Sequence, residues 1–356
     1  MVDDHGQSGV NAAPVQFGIF DWIDRNQLAL PDLYEQRSRL VECADENGFY
    51  CYHIAEHHAS PLNMTPSPGL FLAAAAQRTQ RIRLGTLVYV LPVYNPLRLA
   101  EEICMLDNLS RGRLDVGVGR GISPVELSFF NLDVKDSREM FREALDALVS
   151  ALATGKLDYE GRYFSFKNVE LQIEPFQRPY PPLWYPTNSS DSMTWLAQQG
   201  LHTVVHYQPM PVIRELFDLY KRLWSDHAND QARLNAHVRE PLYGISRHVY
   251  VGDTDAKAWE EAKIALARFN ENTGYLQSTR GDNKRKEYLS DFEARRADGL
   301  YIAGSPDTVR EEVRKHLEIT GSNYFVASFA FGNLSTEQAT NSMRLFATEV
   351  MPAYQR

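Results

Sequence analysis

Short β-type runs alternate with amphipathic helical stretches from one end of this 356-residue chain to the other. That alternation constrains the fold more than any other feature, because a strand, a crossover helix and a second strand build a parallel sheet. Eight runs are read: Val15–Phe20, Tyr50–Glu56, Arg83–Leu91, Leu114–Gly119, Leu183–Thr187, Thr203–Tyr207, Tyr243–Val251 and Tyr324–Phe331. Helical patterns follow the first seven at Leu33–Glu46, Gly69–Thr79, Pro96–Leu109, Ser137–Thr154, Asp191–Gln199, Pro211–Trp224 and Asp255–Phe269, and the eighth leads into Thr336–Val350. Asp32 before Leu33 and Ser305-Pro306 before Asp307–Leu317 supply helix-starting chemistry. Eight βα units predict an α/β chain closed into a TIM (β/α)8 barrel.

At 44% hydrophobic residues the chain can bury one large core, and barrels of this class exceed the usual domain length, so residues 15–356 are read as a single domain. Residues 1–14 are polar and Gly/Ala-rich and read as a flexible leader. The balance of 37 Lys+Arg against 46 Asp+Glu gives a net charge of -9, and the only basic cluster, Arg280 to Lys286, is interrupted by Asp282, which argues against nucleic acid as a partner. No stretch approaches the roughly eighteen apolar residues of a membrane span, and the leader has no apolar signal region, so a soluble cytoplasmic protein is expected. Cys43, Cys51 and Cys104 sit in apolar stretches without metal-ligand spacing and read as buried thiols. Two stretches break the repeat. Leu157–Ile173 alternates around Glu160-Gly161-Arg162 and predicts a β-hairpin inserted after the fourth strand. Asn272–Leu300, between strands seven and eight, is rich in charge, Gly and Asn and reads as a mobile lid loop (residues 272–300) near the barrel mouth.

Active sites of such barrels form at the C-terminal strand ends, so the residues after each run carry the functional expectation. After the second run, Glu56-His57-His58 brings acid and imidazole together, either as reactive groups or as satisfied loop histidines. After the fourth, Gly117-Val118-Gly119-Arg120-Gly121 offers close backbone approach and a guanidinium fork suited to phosphate, or simply a tight βα turn with a solvated arginine. It lacks the third glycine of a dinucleotide fingerprint. After the fifth, Thr187-Asn188-Ser189-Ser190-Asp191-Ser192 enters a helix, a natural seat for a phosphate and equally an ordinary capping cluster. Arg120 and this cluster fall on adjacent strands, so one phosphate can be held by both. The third run ends in Leu87-Val88-Tyr89-Val90-Leu91-Pro92, which is either core or an apolar wall for a ring. Phe20, Trp22, Tyr89, Phe129, Phe130 and Tyr207 are the aromatic residues placed near the mouth.

Taken in order, Glu56-His57-His58, Arg81-Ile82-Arg83-Leu84-Gly85-Thr86, Leu91-Pro92, Leu106 to Arg113, Gly117 to Gly121, Ser137-Arg138 and the tail from Leu345-Phe346 to Met351-Pro352 resemble bacterial luciferase and its related flavin-dependent monooxygenases, above all the luciferase alpha subunit. The resemblance runs from about Phe17 to Tyr354. It implies a two-component enzyme that takes reduced FMN from a separate NAD(P)H:FMN reductase. With O2 as co-substrate, it oxygenates a hydrophobic aldehyde, ketone or amine through a hydroperoxide at the flavin C4a carbon.

Position by position, the resemblance makes His57 the catalytic histidine and Arg120 and Arg138 the basic residues of the FMN phosphate site. It gives Ser189 and Ser192 as hydroxyl partners in that site, and Asn188, Ile122 and His206 as further cofactor positions. It also implies a non-prolyl cis peptide at Leu87-Val88 against the flavin, and a homodimer or a pairing of unlike subunits. Gly119 stands where luciferase has a cysteine, which is expected to open space beside the ring, and light emission is therefore not implied. Three other readings were weighed: an F420-dependent oxidoreductase on the same barrel, a non-catalytic flavin-binding subunit or storage protein, and a metal-dependent hydrolase drawing on His57, His58, His202 or His206.

Overall fold

A computed structural model describes residues 14–354, so residues 1–13 of the leader lie outside the described residues. The strands are β1 (Gln16–Asp21), β2 (Cys51–Ile54), β3 (Arg83–Thr86), β4 (Tyr89–Val90), β5 (Leu114–Gly119), β6 (Lys156–Glu160), β7 (Ser165–Glu170), β8 (Leu183–Trp184), β9 (Thr203–His206), β10 (Tyr243–Val251), β11 (Tyr301–Gly304) and β12 (Tyr324–Ser328). The helices are α1 (Leu30–Glu46), α2 (Pro68–Ala76), α3 (Pro96–Leu109), α4 (Pro124–Phe129), α5 (Ser137–Thr154), α6 (Ser190–Gln198), α7 (Met210–Asp226), α8 (Asp255–Ser278), α9 (Lys284–Ser290), α10 (Phe292–Ala297), α11 (Pro306–Thr320) and α12 (Thr336–Leu345).

Every expected run contains a strand, and eight of the strands form a parallel ring in the order β1, β2, β3, β5, β8, β9, β10, β12 and back to β1. The β8–β9 seam is the narrowest: a single bridge, Trp184 to His202, carried by Tyr185 N–H to the His202 carbonyl (2.9 Å) and His202 N–H to the Leu183 carbonyl (3.1 Å), completes the ring. Helices pack on its outside over a continuous apolar layer that includes Phe17, Ile19, Leu84, Leu114, Val116 and Phe325. Alternate side chains fill the inside, where Trp184, Tyr324, Val204 and Val326 meet. Gly18 on β1 and Gly244 on β10 leave room for the Tyr324 ring, whose hydroxyl lies 2.9 Å from His53 Nε2.

The third run is interrupted. Its Leu87–Val88 peptide is cis, and the chain resumes as β4, so that β3 and β4 pair in turn with β5. At the break, Thr86 Oγ1 donates to the Gly117 carbonyl (3.0 Å) and accepts from the Gly117 N–H (3.1 Å), taking over the ladder bonds that the backbone gives up.

Residues 157–173 do contain the expected antiparallel hairpin, β6–β7, with its turn resting on Glu143 of α5. Asn272–Leu300 differs from the loop expected. The pattern Asp255–Phe269 continues as α8 to Ser278, and α9 and α10 follow. α8 is held down by Asn272, whose Nδ2 donates to Asp24 Oδ2 (2.9 Å) and to the Arg25 carbonyl (2.8 Å). β11, absent from the eight runs read in sequence, pairs with the outer end of β10 outside the ring. No helix of the described residues is long and apolar enough to cross a membrane. Cys43, Cys51 and Cys104 are buried free thiols.

Candidate active site

One cavity of about 610 Å³ opens at the C-terminal ends of the strands, and the loops after β1, β2, β5, β8 and β9, together with α9, line it. His57, Leu87, Val88, Arg120, Ile122, Asn188, Ser189, Ser192 and His206 all contribute to its wall. Arg138, on α5, does not. Its charge still acts on Tyr185, a lining residue whose phenol is raised by burial and drawn back by Arg120 and Arg138.

Each part of this wall has a local cause. Gly121 at φ 71° turns the chain after β5. Arg120 Nη1 then reaches Ser137 Oγ at 3.5 Å, beside the start of α5. Ser189 caps α6, its Oγ accepting from the Ser192 N–H at 3.3 Å. The start of α6 lies at the cavity through Ser189 and Ser192, and a helix start favours an anion. Asn188 is committed in part to structure, since its Oδ1 accepts from the His206 N–H (3.2 Å) and ties the β8 loop to the end of β9.

The second wall holds the histidines. His57 Nδ1 lies 3.0 and 3.2 Å from the two Glu126 oxygens, and the His58 N–H donates to Glu126 Oε2 (2.9 Å). Burial works to raise the Glu126 carboxyl, but the hydrogen bond and charge of His57 and the His58 N–H outweigh it, so the group is held below its ordinary value. Trp22 stacks on the His57 ring, with centroids 5.4 Å apart and planes 29° from parallel. Glu56, raised by burial, accepts from the Val90 N–H and the Tyr94 hydroxyl and lies 2.8 Å from His58 Nε2. His58 is thereby anchored to the β4 end, while His57 presents its other nitrogen to the cavity.

Glu126 was not anticipated. It sits on α4, a six-residue helix passed over in sequence, although Ser123-Pro124-Val125-Glu126 carries a helix-start signature. Ser123 does cap the Glu126 N–H (3.3 Å), while the Glu126 carboxylate bonds to His57 and His58.

Two expectations need correction. Gly119 opens no space: a Cβ there would lie 2.6 Å from Val88 Cγ2, because the Val88 side chain already fills the position. Of the mouth aromatics, Phe20, Trp22, Phe130 and Tyr207 line the cavity, but Tyr89 is buried and its hydroxyl donates to Glu102 (3.1 Å), and exposed Phe129 lies outside the lining. The metal reading finds no support: no three His, Cys, Asp or Glu side chains gather as a metal set among the described residues. Buried His202 precedes β9 and accepts from the Leu242 N–H (2.8 Å), at the opposite end of that strand from His206.

Comparison with known proteins gives consistent neighbours. The sequence profile of a family described as luciferase-like monooxygenase matches residues 15–323. The oxygenase component of a flavin-dependent trigonelline monooxygenase from Acinetobacter baylyi is 27% identical over 96% of both chains. Among solved structures, monooxygenase RslO1 from Streptomyces bottropensis superposes with a TM-score of 0.85 at 28% identity, covering 95% of this chain and 99% of its own. The oxygenating constituent of 3,6-diketocamphane monooxygenase from Pseudomonas putida, a type II Baeyer-Villiger enzyme solved in complex with FMN, shares the fold with a TM-score of 0.78 at 21% identity, covering 95% and 98%.

Proposed function

The chain belongs to the luciferase-like monooxygenase family, and from that premise we propose that it is the oxygenase component of a two-component system, binding reduced FMN and oxygenating a hydrophobic organic substrate. The observation that supports this reading is that Arg120, Ser189 and Ser192 line the same cavity as the His57–Glu126 pair. A relative named as an oxygenase component supports a separate NAD(P)H:FMN reductase as partner.

The residues present fit FMN. Arg120, Ser189, Ser192 and the start of α6 would hold the phosphate, with added charge from Arg138, which also acts on Tyr185. Leu87 and Val88 provide an apolar surface for the ring, flush because Val88 fills the space beside Gly119. Trp22 Nε1 and His206 Nδ1 are buried without partners, as expected of a cavity shaped for a polar guest. Reduced FMN bound there supplies the electrons that activate O2.

The chain's own part is proton handling and exclusion of water. A carboxylate has no hydrogen to give, so His57 Nδ1 carries the proton toward Glu126. The lone pair of neutral His57 is therefore on Nε2, facing the cavity, where it takes a proton from a reacting group and Glu126 compensates the resulting charge. Trp22, Phe130 and Leu289 close the wall around it with apolar surface. A homodimer would cover Leu70, Met105 and Leu109, exposed apolar side chains on α2 and α3.

Anaerobic titration tests the assignment. Reduced FMN binds the native chain, and Arg120→Ala weakens binding by about 10- to 100-fold, the value of a charged hydrogen bond. His57→Ala keeps FMN affinity within a few-fold but abolishes oxygenated product. Preferential binding of F420, or equal FMN affinity in Arg120→Ala, contradicts the proposal.

A further inference from the structure

The cavity has further polar lining that the phosphate seat does not use, where the charge of Arg285 on α9 acts on Tyr207. Arg285 contributes to it from α9, and Tyr207 and Trp22 from the ends of β9 and β1. The neighbouring arginines of this segment are occupied: Arg295 pairs with Asp298 (2.9 Å) and lies over Tyr288, and Arg296 lies over Trp259. Among the described residues no acid engages Arg285 in an ion pair. Tyr207 is held protonated by burial, so its hydroxyl is a donor. Trp22 Nε1, also a donor, is buried and partnerless.

A second positive charge acts here as well. Arg247, 1% exposed, donates only to the carbonyls of Ser246 (2.9 Å) and Gln208 (3.0 Å), and its charge acts on Tyr207. The nearest acid acting on Tyr207, Asp24, is pushed up to about 7 by burial, and it already accepts from Asn272 and the Gly332 N–H. Both carboxylates that line the cavity, Glu56 and Glu126, are committed to the histidines. Two cavity-lining donors, the Arg285 guanidinium and the Tyr207 hydroxyl, and no free acceptor anion remain there. The one buried acceptor nearby, His206 Nδ1, is neutral, its ring pulled down to about 3 by burial and Arg247.

We propose that the substrate carries a carboxylate, which the Arg285 guanidinium and the Tyr207 hydroxyl hold in the cavity beside α9, leaving its hydrophobic body against Phe20 and Trp22. A guanidinium fork matches a carboxylate in shape and charge. Because Arg285 belongs to the segment over the mouth, the pairing also draws α9 toward the bound substrate, so that the correct substrate helps to exclude water. The inference rests on the monooxygenase reading only for the position of the flavin.

Calorimetric titration of the protein, with and without oxidised FMN, tests it using matched probes: benzoate against benzamide and octanoate against octanamide. At least one acid binds about 5- to 10-fold more tightly than its amide, a preference set by one charged pair. Arg285→Gln removes the preference and Arg285→Lys restores part of it, with FMN affinity in each variant as the control of folding. Equal or weaker binding of both acids, no detectable acid binding, or a preference that survives Arg285→Gln overturns the proposal. An acid preference in a protein that fails to bind FMN upholds this inference while removing the flavin assignment.

Discussion

His57 Nδ1 lies 3.0 and 3.2 Å from the two oxygens of Glu126. Sequence places His57 beside Glu56 and His58, and imidazole alone leaves donor and acceptor roles equally open. The structure removes that freedom through Glu126, 69 residues away in sequence and 3.0 Å away in space. With Nδ1–H directed at a carboxylate held below its ordinary value, the neutral ring should be the Nδ1–H tautomer. Nitrogen-15 shifts of selectively labelled histidine read this directly: a protonated Nδ1 and a bare Nε2 for residue 57 are expected, and the opposite pattern would remove the base role. His57, Arg120 and the Ser189–Ser192 cluster were legible because each follows a strand end. Glu126 was not, because nothing in local periodicity links a six-residue helix to a histidine on another loop. Tyr207 was legible as a mouth aromatic at the end of its run, but its φ of 50° is visible only once the backbone is known.

Between elements, the contact of β5 with the interrupted third run shapes the surface offered to a ring. Val88 sits in the space that Gly119 leaves, so the glycine serves packing where a missing thiol had suggested extra room. Replacing Gly119 by Cys should force the stiff, β-branched Val88 aside. Overpacking of this kind costs about 1–3 kcal/mol, seen as a fall of a few degrees in melting temperature together with weaker FMN binding. Unchanged melting and unchanged affinity would mean that Val88 moves freely. The lid segment shows where periodicity fails. Residues 272–300 hold α9 and α10, of seven and six residues, in which the only buried position is Leu289. With so little apolar surface to repeat, a charged helix and a charged loop look alike in sequence, although α9 does line the cavity as a lid would.

For the molecule as a whole, the alternation of strand and helix gives a parallel α/β sheet, and the count of eight units points to its closure as a barrel over an open doubly wound sheet. The barrel's interior carries an acid liability. Burial pulls His53, His202 and His316 down to about 4 and His206 and His248 to about 3. The unfolded chain takes up these protons near the ordinary 6.5, while the folded chain does not until pH nears 4, so stability falls as pH drops through that window. Asp24, pushed up to about 7, and Glu56 and Asp107, also raised by burial, act in the opposite sense, because the folded state holds protons there that the unfolded state releases. With His237 also lowered and Asp146 also raised by burial, six histidines stand against four carboxyls and leave a net uptake, worth about 1.4 kcal/mol per pH unit for each uncompensated proton. Denaturant midpoints should therefore decline from pH 6.5 to 4.5, and a flat profile would contradict the buried, neutral state of these rings. Anchoring of FMN at the mouth of this ring is tested most directly by a crystal structure of the FMN-soaked protein. Phosphate density between the Arg120 guanidinium and the Ser189 and Ser192 hydroxyls, with the ring against Leu87–Val88 and facing His57, is the predicted result; flavin density elsewhere, or none at saturating FMN, would contradict it.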